Sequence, residues 1–212
     1  MPARVRIPYT KAYNLIQEGD VLLFRNHGII SSLIKMAGAG EYSHVAVVSR
    51  HNGYWEAVEF REWYGGRAIN LVNYLKDCKK SKNEIDVYRV SPQISKLYYD
   101  EDSEIVSYIK TDFDGKAITN CMRELTGLPY SYKRILLLLK IKLFKWHILW
   151  DMEKITSEIP SKEIIYPVCS TVLAHCFSNN GWPILRRKSD QYTEPNDFAI
   201  SPRLNYLFTL SI

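Results

Sequence analysis

Apolar and polar positions alternate over short intervals in the first half of the chain and recur at helical spacing over much of the second. Val21-Leu22-Leu23-Phe24 is a continuous apolar run launched by the turn signal Glu18-Gly19-Asp20, which predicts a buried strand. Ile29, Ile30, Leu33 and Ile34 between Gly28 and Met36 predict a short amphipathic helix, closed by Gly38 and Gly40. His44 to Val48 has the pattern of a half-buried strand. His51-Asn52-Gly53 then reads as a three-residue loop with a G1 bulge, leading into a second strand from Tyr54 to Phe60. Leu71 to Leu75 predicts a short helical turn, Asp77 to Asn83 a charged loop, and Ile85 to Val90 a strand ended by Ser91-Pro92.

Asp102 to Asp112 and Lys116 to Leu125 both read as helical, with Gly127-Leu128-Pro129 as the stop. Arg134 to Trp150 holds twelve apolar residues among Lys140, Lys142, Lys145 and His147. It is short for a membrane span and would bury three lysines, so the expectation is a buried helix or hairpin insertion. The competing expectation is a basic, aromatic surface in peripheral contact with a membrane, a cell wall or a partner. After Pro160 and Pro167, Cys169 to Phe177 predicts a helix stopped by Ser178-Asn179-Asn180-Gly181. The remainder reads as ordered turns and a last apolar strand. With no repeat, linker or low-complexity stretch, residues 1–212 are expected to form one domain.

Composition narrows the function classes. The chain has 28 basic and 23 acidic residues, a net charge of +5, which is no nucleic-acid signature. Zinc-finger spacing and a Gly-rich phosphate loop are missing, so neither a metal nor a cofactor is expected. Cys78, Cys121, Cys169 and Cys176 show no C-x-x-C spacing, and reduced thiols are the default expectation. The first residues, Met-Pro-Ala-Arg-Val-Arg-Ile-Pro, lack the apolar core of a secretory signal. A cytoplasmic location is therefore the default, with release by lysis or another export route as the alternative.

Cys169 stands at a predicted helix start, where free N–H groups and the helix dipole stabilise a thiolate and could hold an oxyanion. Cys176 lies two turns further on as a packing residue, Cys121 falls in an apolar helical pattern, and Cys78 sits in the lysine-rich loop. Among the histidines, His175 is poorly aimed relative to Cys169. His27 and His51 fall in loops, and His147 in the apolar insertion. His44 sits on a rigid strand beside the small residues Ser43 and Ala46. Cys169 as nucleophile and His44 as base is the pairing these positions favour. A three-residue loop would pair Val48 with Glu56, putting Glu56 on the face of His44 as the orienting acid. That register leaves Glu56 two rungs away, so a bulge or strong twist is needed. Glu59 has the wrong parity there and is second choice.

Several stretches together resemble the circularly permuted NlpC/P60 group of papain-like enzymes, and within it the YiiX-like branch. They are Gly19-Asp20-Val21-Leu22-Leu23-Phe24, Ser43-His44-Val45-Ala46-Val47-Val48, Glu56-Ala57-Val58 and Cys169-Ser170. Gly127-Leu128-Pro129-Tyr130-Ser131-Tyr132, Thr193-Glu194-Pro195-Asn196-Asp197-Phe198 and Ser201-Pro202 extend the likeness from about residue 19 to 204. The resemblance implies an α+β, permuted papain-like fold with a small antiparallel sheet packed on helices. It carries the base onto His44, the nucleophile onto Cys169 and the third member onto Glu56. Cysteine hydrolysis of a cell-wall peptide amide is the activity it implies. A lipid-directed acyltransferase or thioesterase of LRAT-like type is the alternative, and a catalytically silent binding module of the same fold is the third. Many YiiX-like proteins carry an export signal that this N-terminus does not show.

Overall fold

The computed structural model describes residues 4–27, 31–32, 34–35, 40–91, 95–100, 105–110, 112–131, 167–185 and 190–211. The segment from Arg134 to Trp150, and most of the helix expected between Gly28 and Met36, lie outside these residues.

The fold is α+β. Strands β1 (Arg6–Pro8), β2 (Val21–Arg25), β3 (His44–His51), β4 (Tyr54–Arg61), β5 (Gly65–Asn70), β6 (Glu84–Val90) and β9 (Leu204–Ser211) form one mixed sheet. Their spatial order is β1-β9-β6-β2-β3-β4-β5, with β1 parallel to β9 and every other pairing antiparallel. Helix α1 (Tyr9–Ala12) follows β1, and the described residues also include the helices α2 (Leu71–Lys80), α3 (Gly115–Glu124), α4 (Cys169–Asn179) and α5 (Pro195–Ile200).

β2 is apolar from Val21 to Phe24 because it is central and buried on both faces. One face carries Val21, Leu23, Val45, Val47 and Val58 against α3 and α4. The other carries Leu22, Phe24, Ala46, Val48 and Ala57 against Leu71, Tyr74, Leu75 and Cys78 of α2. The turn signal before β2 works through backbone closeness. Gly19, at φ +87°, donates its N–H to Val48 O at 2.9 Å, and a Cβ there would stand 2.5 Å from Gly115 Cα. Asp20 is buried and ion-paired with Arg89 at 2.7 Å.

Three expectations change. Asp77 onward is not a loop: α2 runs to Lys80, because Leu71, Tyr74, Leu75 and Cys78 continue one buried helical stripe. Asn70 caps it by accepting from Val72 N at 3.0 Å, and Lys79 and Lys80 suit the negative end of the helix. Within the stretch expected to be helical from Asp102 to Asp112, Ile105–Lys110 is a strand, β8, paired antiparallel with β7 (Ser95–Asp100). Ile105, Val106, Tyr108 and Ile109 are residues of high strand propensity, and a paired neighbour let that preference prevail. Finally, Cys121 and Cys176 are not reduced packing residues. They form a disulfide that staples α3 to α4 across 55 residues of sequence.

No helix among the described residues is long and apolar enough to cross a membrane.

Candidate active site

The β3–β4 hairpin decides which acid meets His44. His51 pairs with Tyr54, so the loop is the two residues Asn52 and Gly53, not three. Both have positive φ, +48° and +83°, the backbone of a type I′ turn that Asn-Gly favours. The register then pairs Ala46 with Glu59 and Ser49 with Glu56. Opposed residues share a face, and faces alternate along a strand. Glu59 therefore lies on the side of His44 and Ala46, while Glu56 lies on the other.

Glu56 is thus displaced from the role expected of it. It accepts from Arg123 Nη2 of α3 at 2.5 Å, and the same guanidinium reaches Ser49 Oγ at 3.1 Å. Glu59 takes the place beside His44, with His44 Nε2–H donating to its Oε2 at 2.5 Å. No bulge is needed: Ala46, the residue between them on that face, offers only a methyl group.

The β3–β4 pairing ends at the Ala46–Glu59 rung, so His44 lies beyond it. Its ring packs against Phe24 at 5.1 Å on the α2 side and hydrogen-bonds with Cys169 at the start of α4. Since Nε2 faces the carboxylate, Nδ1 is the nitrogen left for the sulfur. His44 and Cys169, 125 positions apart, are therefore brought together, both buried at 3% and 4% exposure.

Both partners are anchored by the turn that precedes and begins α5. Asn196 grips the backbone two residues before His44: Tyr42 N–H donates to its Oδ1 at 3.0 Å, and its Nδ2 donates to Tyr42 O at 3.2 Å. Ser170 Oγ, next to Cys169, donates to Thr193 O at 2.6 Å. The start of α4 is shaped by Val168, extended at φ −129° and ψ 163°, whose N–H donates to Thr171 Oγ1 at 3.2 Å. Helix geometry leaves the backbone N–H groups of the first turn without carbonyl partners inside the helix.

Glu59 is fully buried and accepts four bonds. His44 Nε2 and Tyr74 OH, each at 2.5 Å, meet Oε2, while Arg67 Nε and Nη2, at 2.8 and 2.6 Å, meet Oε1. Arg67 is its cross-strand partner on β5, and Tyr74 comes from α2. Burial alone would raise the Glu59 pKa, but the charge of His44, with Arg67 and the Tyr74 hydrogen bond adding to it, holds it down to about 2. For His44, burial works to lower the pKa, but the Cys169 and Glu59 charges outweigh it and lift it to about 10. Both neighbours thus favour the imidazolium form of His44.

The other candidates make no hydrogen bond to His44 or Glu59 among the described residues. Cys78 is a free thiol on α2 whose pKa is pushed by burial to about 11. His175 faces Asn179 Nδ2 at 2.7 Å within α4, and burial lowers its pKa. His51 lies at the far end of β3 from His44, His27 donates its backbone N–H to Asn83 Oδ1, and His147 is outside the described residues. Arg67 and Tyr74 carried no signal in the sequence, whereas Glu59 had one: Asn-Gly is the strongest two-residue hairpin turn, and that loop length puts Glu59 on the His44 face.

No family model matches the chain, and no curated protein sequence matches it. Among solved structures, the chain is similar to the crystal structure of the metalloprotein YiiX from Escherichia coli O157:H7. The TM-score is 0.56 over 90% of this chain and 96% of that one, at 13% identity, a likeness that shows a YiiX-like fold.

Proposed function

We propose that the protein is a cysteine hydrolase in which Cys169 is the nucleophile, His44 the acid–base and Glu59 the residue that orients His44. The observation that carries this is the His44 ring, held between a fully buried carboxylate and a thiol at a helix start. A base fixed by a third group and facing a nucleophile is the arrangement that acyl transfer requires. In chain order the base precedes the nucleophile, as in a permuted papain-like fold, and the YiiX-like architecture supports that description.

The chemistry follows from the charges. An imidazolium beside the sulfur, with helix N–H groups ahead of it, is the setting in which a thiolate is held. The Cys169 sulfur attacks the substrate carbonyl carbon, and the oxyanion is met by first-turn N–H groups of α4. As the C–N bond breaks, His44 gives its Nδ1 proton to the leaving amine, and a thioester remains on Cys169. His44, now neutral, takes a proton from water as that water attacks the thioester. The C–S bond breaks, the acid product leaves and the thiolate–imidazolium pair is restored. A cell-wall peptide amide is the proposed substrate class.

YiiX is described as a metalloprotein. The donor set here does not fit a metal ion: both Glu59 oxygens are filled by four donors, and the Arg67 cation already neutralises the carboxylate. Among the described residues no other group of three His, Cys, Asp or Glu side chains could hold one. No step of the proposed mechanism passes through a metal.

Incubating the full chain with purified cell-wall peptides and following amine release tests the assignment. Cys169→Ala should abolish release with the circular dichroism spectrum unchanged. Turnover retained in that variant overturns the assignment.

A further inference from the structure

An acid can orient a base only if its own position and charge are fixed, and two side chains outside the Cys169–His44 pair fix those of Glu59. Arg67 spends two N–H groups on Oε1 alone, at 2.8 and 2.6 Å. That leaves Oε2 to His44 and to Tyr74 OH, each at 2.5 Å. The carboxylate plane is thus pinned from two sides, by a strand and by a helix.

Arg67 is itself built in. The chain returns from β4 through Gly65, at φ +68°, and Gly66, where a Cβ would meet Leu125 O at 2.8 Å. This close approach to the segment after α3 sets the register that opposes Arg67 to Glu59. Above it, the Tyr64 ring lies 4.2 Å from the guanidinium carbon, a cation–π contact at the exposed hairpin tip. Beneath a ring that is itself 65% exposed, the Arg67 side chain keeps only 24% of its surface in solvent.

We propose that Arg67 and Tyr74 are positioning residues for the hydrolase described above, setting the aim and charge of Glu59 and, through it, of the His44 ring. The inference rests on that functional reading. Charged and titratable groups face Glu59 from every side: His44 from β3, Arg67 from β5, Arg61 from its own strand, and Tyr74 and Cys78 from α2. Cys169 of α4 stands beyond the imidazole. Of these, only His44, Arg67 and Tyr74 donate hydrogen bonds to the carboxylate. Without the guanidinium, Glu59 takes up a proton at higher pH and its hold on His44 Nε2–H fails there.

The test uses the full chain and iodoacetamide, with Cys169 alkylation read by peptide mass from pH 1.5 to 9, a range that spans the Glu59 limb near pH 2. In Arg67→Met the acid-side fall in alkylation should move up by about one pH unit. The plateau rate should drop roughly tenfold, well inside what misplacing a catalytic group costs. Arg67→Lys, which keeps the charge without the fork, should return the acid limb towards its native position. A profile of folded Arg67→Met that superimposes on the native one overturns the inference. If Arg67→Met does not fold, Tyr74→Phe carries the test: it keeps the ring and loses only the donor, and an unmoved profile overturns the inference equally. Failure of native Cys169 to react faster than Cys78 is a separate outcome. It sinks the hydrolase assignment itself and takes this inference with it.

Discussion

Glu59 Oε2 lies 2.5 Å from His44 Nε2 although the two residues are not opposite each other on the β3–β4 hairpin. Glu59 opposes Ala46, and His44 lies two residues further along the same face, past the last rung. The small Ala46 side chain and the end of the ladder allow the imidazole to bend towards the carboxylate while its other nitrogen meets Cys169.

Glu59→Gln keeps the size of the side chain but presents an amide N–H where His44 needs an acceptor. This favours the wrong imidazole tautomer, and kcat/KM on cell-wall peptides should fall by roughly two to four orders of magnitude. Glu56→Gln should leave kcat/KM within about twofold and cost about 1 kcal/mol or less, because the Arg123–Glu56 pair is partly solvated. The reverse ranking in a steady-state comparison would restore Glu56 to the site.

Stability should depend on pH through the same pair. The His44 pKa rises from 6.5 to about 10 on folding, so its contribution is fully present below pH 6.5 and is lost as pH climbs through 10. The Glu59 pKa falls from 4.5 to about 2, so its contribution is present above pH 4.5 and is lost as pH drops through 2. Both are intact between pH 4.5 and 6.5. In His44→Gln, the Tm deficit relative to the native chain should shrink steadily above pH 6.5. A deficit that stays constant in thermal melts up to pH 10 would refute the linkage.

The Cys121–Cys176 disulfide closes a 55-residue separation and ties the helix that begins with Cys169 to α3. Loop-closure entropy makes such a link worth about 3–4 kcal/mol. Urea unfolding with and without dithiothreitol should show that difference, as should Cys121→Ser. Equal midpoints would mean that the staple contributes nothing to the folded state.

Short-range physics made much of this molecule legible. The strand at Val21–Phe24, the strands at His44 and Ile85, and the helix that starts at Cys169 all follow from apolar runs bounded by turn residues. The two side chains proposed as base and nucleophile, His44 and Cys169, stood out too, as an imidazole on a rigid strand and a thiol at a helix start. Loop length was the weak link. One residue more or less between His51 and Tyr54 inverts the parity of all of β4, so the choice between Glu56 and Glu59 hung on a single turn.

The amino-acid sequence by itself determined the strands at Val21, His44, Tyr54 and Ile85, the helix that starts at Cys169 and which side chains there have the chemistry to act; β5, which carries Arg67, was not legible in it. Only the tertiary structure decided their partners. Arg67 and Tyr74 converge on Glu59 because β5 and α2 pack against β4, and Cys121 meets Cys176 because α3 lies along α4. It also decided that Ile105–Lys110 is a strand, since a short apolar stretch takes the backbone state for which a hydrogen-bonding neighbour exists. Local pattern cannot carry such information: it fixes the direction of a side chain relative to its own backbone, while the position of another backbone depends on the closure of the whole chain.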